Sequence, residues 1–151
     1  MGLDMYLYKK SWVNSSEWVK PEYREEITMT RGGNNVDTSK VKYIIEEVGY
    51  WRKANAIHRW FVENVQEGED DCGEYRVTAK DLKSLLMDCE NALCDSELRE
   101  QVLPTQSGFF FGSTDYDEYY EEDLRNTIEI LTEILAEKDA EHSEFFYSSS
   151  W

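Results

Sequence analysis
Apolar and polar residues alternate over Leu3 to Tyr8, with Met5 and Leu7 on one face and Tyr6 and Tyr8 on the other, the period-two signature of a strand. Residues 11–21 (SWVNSSEWVKP) read as a polar loop that holds two tryptophans and stops at a proline. Glu26 to Thr30 (EITMT) predicts a second strand, ended by the turn sequence Arg31-Gly32-Gly33-Asn34-Asn35. From Val41 to Tyr50 two patterns fit. Val41, Ile44, Ile45 and Val48 share a helix face, while Val41, Tyr43 and Ile45 alternate as in a strand. Tyr50 to Gln66 predicts a helix, because Tyr50, Ala54, Ile57, Phe61 and Val65 recur on one face, and the acidic loop 67–74 ends it at Gly68 and Gly73.

Beyond that loop, Tyr75 to Val77 forms a short strand leading to Thr78, an N-cap whose Asp81 three residues on suits the positive end of a helix dipole. The helix it starts runs to about Leu93, with Leu82, Leu85, Leu86 and Leu93 inward. Residues 95–102 add a further helical segment before Pro104, and Ser107 to Gly112 (SGFFFG) reads as a buried strand bracketed by glycines. Thr114 or Asp115 caps a last long helix in which Tyr120, Leu124, Ile128, Leu131 and Leu135 repeat with helical period. Glu144 to Trp151 is either a strand or a partner-bound tail. Without repeats or linkers, the expectation is one α+β domain over 1–151, a small mixed or antiparallel sheet packed by two or three long helices.

Charge changes what that domain is expected to bind. The 151 residues carry a formal charge of −16, with 40% hydrophobic and 14% aromatic residues, too apolar for a disordered acidic chain. Such acidity opposes nucleic acid or an anionic membrane as a direct partner. The charge is unevenly placed. Residues 1–62 hold ten bases and eight acids, a net of +2; residues 63–151 hold six bases and twenty-four acids, a net of −18. An anion site is therefore expected in the first part, and a surface imitating a polyanion in the second.

Three cysteines, Cys72, Cys89 and Cys94, form an odd set at spacings that match no common zinc pattern, and read as reduced thiols. No metal or cofactor is expected. The start MGLDMYLYKK has neither a signal-peptide pattern nor the Ser/Thr of a myristoylation signal, and no apolar run reaches the roughly 20 residues of a membrane span. The expected location is the cytoplasm.

Three strings carry candidate chemistry. Tyr50 to Trp60 places Arg52, Lys53, His58 and Arg59 among Trp51, Trp60 and Asn55. Cationic side chains there suit phosphates and the rings suit a base. The competing reading is an amphipathic core helix whose bases pair with the many acids. Pro104 to Thr114 supplies Gln106, Ser107, Phe110 and Thr114 with two glycines, a string suited to close ligand approach, or equally to a strand with ordinary turns. Asp115 to Asp123 (DYDEYYEED) holds six acids, a helix N-terminus by default and a phosphate-like array otherwise. No P-loop, nucleophile elbow or Cys-His or Ser-His-Asp arrangement is identifiable, so an enzyme is not favoured.

The strings MGLDMYLYKK, EVGYWRKANAIHRWFVENVQ (47–66), DDCGEY (70–75) and LPTQSGFFFGSTDYDEYY (103–120) resemble a family of small proteins from bacteriophages and bacterial genomes. The resemblance implies a phage or prophage setting, hence the cytoplasm of an infected or lysogenic host, and brings no functional residues with it. Two functions compete there. The first, narrowly preferred, is a phage anti-defence sponge that sequesters a nucleotide immune signal, a cyclic dinucleotide or an ADP-ribose derivative, without cleaving it. Arg52, Lys53 and Arg59 then neutralise phosphates, Trp51, Phe110 or Tyr116 stack on a base, and Asn55, His58, Gln106, Ser107 or Thr114 supply polar contacts, in a pocket that admits a homo-oligomer. The second is an acidic inhibitor that blocks a nucleic-acid-binding defence or CRISPR effector by protein contact or DNA mimicry.

Overall fold
Alternation at the start of the chain is preserved in space. The computed structural model describes residues 2–151, leaving Met1 of the N-terminal string outside, and β1 (Asp4–Trp12) buries Met5, Leu7 and Lys9 while Tyr6 and Tyr8 look the other way. β1 pairs antiparallel on both sides, with β4 (Tyr43–Arg52) and with β6 (Glu144–Ser150). The short β5 (Glu74–Val77) adds to the far side of β6, giving one antiparallel sheet of order β4-β1-β6-β5. The ambiguous 41–50 segment is thus strand from Tyr43, and the 144–151 string is a central strand. A bulge between Leu7 and Tyr8 skips Val48, so Leu7 faces Gly49 and Tyr8 faces Glu47. Gly49 is required by crowding, since a Cβ there would lie 2.9 Å from the Trp51 ring.

The helices α1 (Asn55–Asn64), α2 (Ala79–Cys94), α3 (Arg99–Val102) and α4 (Glu118–Ala136) cover the face bearing Met5, Leu7, Trp51, Phe145 and Tyr147. Ile57, Trp60 and Phe61 of α1, Leu82, Leu85 and Cys89 of α2, and Tyr120, Leu124, Leu131 and Ile134 of α4 complete the core. Each such side chain contributes about 1.5–3 kcal/mol by leaving water. Thr78 caps α2 as expected: its hydroxyl accepts from the Asp81 amide, and the Asp81 carboxylate accepts from the Thr78 amide. Lys9, buried on the inner face, is held by Glu137 and Asp139 just beyond α4, which keep its ammonium charged despite burial.

Four expectations are corrected. Residues 50–54 are not the start of a helix. Tyr50, Trp51 and Arg52 pair with Tyr6, Met5 and Asp4, and this sheet pairing overrides the helical period. The chain then turns at Lys53, in the left-handed region at φ 56°, and α1 begins at Asn55. Ser107–Gly112 is a turn, not a buried strand: Phe111 is buried, but Phe109 is 93% exposed, and Gly112 at φ 83° turns the chain away. α4 is capped by Asp117 rather than Thr114 or Asp115, its carboxylate accepting from the Tyr119 and Tyr120 amides. Glu26–Met29 is irregular. Only Thr30–Arg31 (β2) and Asn34–Asn35 (β3) pair, around Gly32-Gly33, where positive φ at both positions suits a tight hairpin. Of the polar 11–21 segment, Ser11 and Trp12 belong to β1, and Pro21–Tyr23 form a 3-10 turn. Among the described residues no helix is long and apolar enough to cross a membrane.

Candidate functional site
The candidate strings 50–60 and 104–114 meet in space, and Asn55 joins them. Its side-chain amide donates to the carbonyls of Phe111 (2.9 Å) and Ser113 (2.8 Å), and its carbonyl accepts from the Gln106 amide (3.0 Å). With every polar atom engaged and the side chain buried, Asn55 clamps loop 103–117 onto the start of α1. Neighbouring bonds extend the clamp. Arg59 donates to the Thr105 carbonyl, the Thr105 hydroxyl donates to the Thr114 carbonyl, and the Tyr116 hydroxyl accepts from the Thr105 amide.

Around this junction lie three concavities, each carrying more acid than base. Arg52 and Lys53 line one of about 290 Å³ with Asn55, Thr105 and Tyr119, but facing them are Asp115, Asp117, Glu122 and Asp123. Burial pushes the Asp123 carboxyl up to about 7, with Glu122 and Asp117 adding to it. Arg52 reaches Asp4 at 3.7 Å. A second cleft, about 640 Å³, runs under Trp60 and Tyr116; its single base, Arg59, is paired with Glu63 at 2.7 Å, and Asp88 and Glu100 join it. The third, about 310 Å³, is lined by His58, Arg59, Val62, Glu63, Gly68, Asp70 and Gln106.

His58 belongs to a buried relay that sequence reading missed. Its Nε2 lies 2.9 Å from Asp70 and its Nδ1 2.6 Å from the Tyr147 hydroxyl. With the ring proton on Nε2 facing the carboxylate, Nδ1 accepts from the tyrosine hydroxyl. Burial raises the Tyr147 hydroxyl well above its ordinary pKa, so it remains a donor. Tyr147 stacks on Phe61 with centroids 3.9 Å apart, Phe111 meets the His58 ring edge-on, and the Trp151 indole donates to the second Asp70 oxygen at 3.0 Å.

The other expected contacts fall apart from one another. Trp51 is buried and donates to the Thr127 hydroxyl at 2.8 Å, so its ring is core and not a stacking surface. Ser107 is exposed on the turn, and the Gln106 side-chain amide donates to its carbonyl. Phe110 packs edge-on against Phe109, Thr114 is exposed, and Tyr116 packs on Tyr120. Among the described residues no group of three or more His, Cys, Asp or Glu side chains is arranged to hold a metal ion.

The acidic run continues along α4. Glu118, Glu122, Glu129 and Glu133 are exposed within about 60° of one another on the helix surface, and none is ion-paired among the described residues. At about 1.5 Å per residue, the first and last pairs are each separated by about 6 Å along the axis. Arg125 beside them is turned back to Glu121, which also holds the buried Arg99 of α3, and these two guanidinium groups keep the Glu121 carboxyl below its ordinary pKa. No family model, curated protein or solved structure matches the chain.

Proposed function
We propose that the chain is an anti-defence protein of a phage or prophage that blocks a basic, nucleic-acid-binding bacterial protein, with α4 as its contact surface. The phage setting rests on the resemblance given above. The row of unpaired carboxylates at Glu118, Glu122, Glu129 and Glu133 carries the contact. Such a row suits a groove that normally binds phosphates, and steers a basic partner at long range. The three acid-dominated concavities support the same reading, because each repels a polyphosphate.

Sequestration of a nucleotide signal is the second reading, favoured by one observation: Arg52 and Lys53 line the same cavity as Thr105 and Tyr119. One experiment separates the two. Purified bacterial DNA-binding nucleases, each loaded with fluorescent duplex, are titrated with the protein, and cyclic dinucleotides and ADP-ribose species are titrated by calorimetry. The proposal expects salt-sensitive displacement of duplex from a nuclease, lost in the Glu118→Gln/Glu122→Gln/Glu129→Gln/Glu133→Gln variant. Displacement unchanged by those four substitutions sinks it, and tight nucleotide binding lost in Arg52→Ala establishes sequestration instead.

A further inference from the structure
One face of the sheet lies away from the helices and outside the core, with Trp12, Tyr43, Ile45 and Tyr50 exposed. Tyr6, Tyr8, Phe146, Tyr50, Tyr43, Trp12 and Ile45 all point away from the helices and take no part in the core. Tyr6 stacks with Tyr8 and packs on Tyr50, and Trp12 meets Tyr43 edge-on, so the rings form two groups on this face with the Lys10–Ile45 pair between them. Antiparallel sheets commonly leave one face to water, but such faces are usually polar. This face also stands apart electrically. Its charged residues are Asp4, Lys10, Glu47, Arg52, Glu74, Arg76 and Glu144, three bases against four acids, a net of −1 on a chain of −16.

The register shows how those charges are laid out. One cross-strand row reads Glu47, Tyr8, Phe146, Arg76 from β4 to β5, and the next reads Ile45, Lys10, Glu144 from β4 to β6. Consider a second copy turned by half a rotation about an axis parallel to the strands, between β1 and β6. Each row then lies over its own reverse. Glu47 meets Arg76, Tyr8 meets Phe146 and Lys10 meets Glu144, and the two-fold axis makes every pair twice. Strand directions stay aligned, as in face-to-face sheet packing about 10 Å apart.

We propose that two copies of this chain associate through this face, with the row Glu47-Tyr8-Phe146-Arg76 at its centre. A face close to charge neutrality that pairs its own bases with its own acids suits two bodies of the same net sign. The size sits at the lower limit. Four strands about 4.8 Å apart and about seven residues long give a flat footprint of about 450 Å². The relief of the side chains brings it toward the roughly 600 Å² per partner of the smaller stable interfaces. This inference is independent of the proposed function, because α4 lies on the opposite side of the sheet.

Light scattering behind size-exclusion chromatography tests it with charge-swapped chains. The wild type is expected to run as a dimer at tens of micromolar. Glu47→Arg sets arginine against Arg76, and Arg76→Glu sets glutamate against Glu47, so each variant alone halves the particle mass. Mixing the two restores opposite charges at both contacts and restores the dimer, as does the double variant E47R/R76E. Circular dichroism verifies that each variant is folded, and Tyr8→Ser, which adds no charge, raises the dissociation constant at least about tenfold. A wild type that stays monomeric at high concentration overturns the proposal. So do single variants that remain dimeric, or a mixture of folded variants that stays monomeric.

Discussion
Replacing Asn55 with alanine tests whether this residue is a clamp. The substitution removes two donations, to the Phe111 and Ser113 carbonyls, and one acceptance, from the Gln106 amide. Each bond is worth about 1 kcal/mol net, so the three sum to about 3 kcal/mol. The loop side is partly open, and water can reach the Ser113 carbonyl and Gln106 amide, which trims the expected loss to about 2–3 kcal/mol. For a chain of this length that corresponds to a fall in Tm of about 5–10 °C. In urea the midpoint should fall with an unchanged slope, because the surface exposed on unfolding is the same. Asn55→Asp is the sharper probe. It keeps the acceptor for Gln106 but loses both donations and aims a negative charge at two carbonyl oxygens, so it should be at least as destabilising as alanine. Hydrogen exchange should localise the effect, with the Gln106 amide losing protection. A loss below about 0.5 kcal/mol for Asn55→Ala, or an Asn55→Asp variant as stable as wild type, refutes the clamp.

Three further outcomes are expected. Tyr147→Phe keeps the stack on Phe61 but leaves His58 Nδ1 buried without a partner, costing about 1–3 kcal/mol in urea unfolding. Asp123 gives a pH dependence: its folded-state pKa of about 7 lies above the unfolded value, so the folded state holds the extra proton. Stability should therefore fall as pH rises from about 4 to about 7, and Asp123→Asn should flatten that fall and be more stable than wild type at pH 8. Gly112→Ala meets two obstacles, φ at 83° and a new Cβ only 3.3 Å from Lys53 Cβ, and should lower stability by about 1–2 kcal/mol on thermal melting.

The features legible in the sequence are those set by near neighbours. The Met5/Leu7 against Tyr6/Tyr8 alternation, the Thr78–Asp81 capping box and the Tyr120-Leu124-Leu131 face of α4 each lie within one element, so period and capping chemistry sufficed. Residues 50–52 misled because their spacing fits a helix equally well, and what decides is pairing with Asp4–Tyr6, more than 40 residues away. The sequence reading gives Asn55 a ligand contact, whereas the groups its side chain meets are backbone carbonyls and a backbone amide of loop 103–117, which carry no sequence signal. The His58 relay was harder still. Asp70 is one carboxylate among five in its acidic loop, and Tyr147 lies 89 residues downstream in a string of three aromatics.

The division of charge along the chain has a different consequence in three dimensions than in one. Residues 1–62 are net basic, yet the fold carries several of their bases to carboxylates. Lys9 goes to Glu137 and Asp139, Arg59 to Glu63, and Arg52 to Asp4, while Arg24 is spent on the Val19 and Glu17 carbonyls. Each contact removes positive potential that a bound anion would need. The same contacts draw on Glu137 and Asp139 just beyond α4, on Glu63 of α1 and on Asp4 of β1, and leave Glu122, Glu129 and Glu133 of α4 facing water. The fold thus weakens the positive half of the sequence and leaves the negative half exposed. On the proposed reading of a cation-rich partner, neutralising the exposed carboxylates of α4 is expected to change binding more than neutralising Arg52 and Lys53.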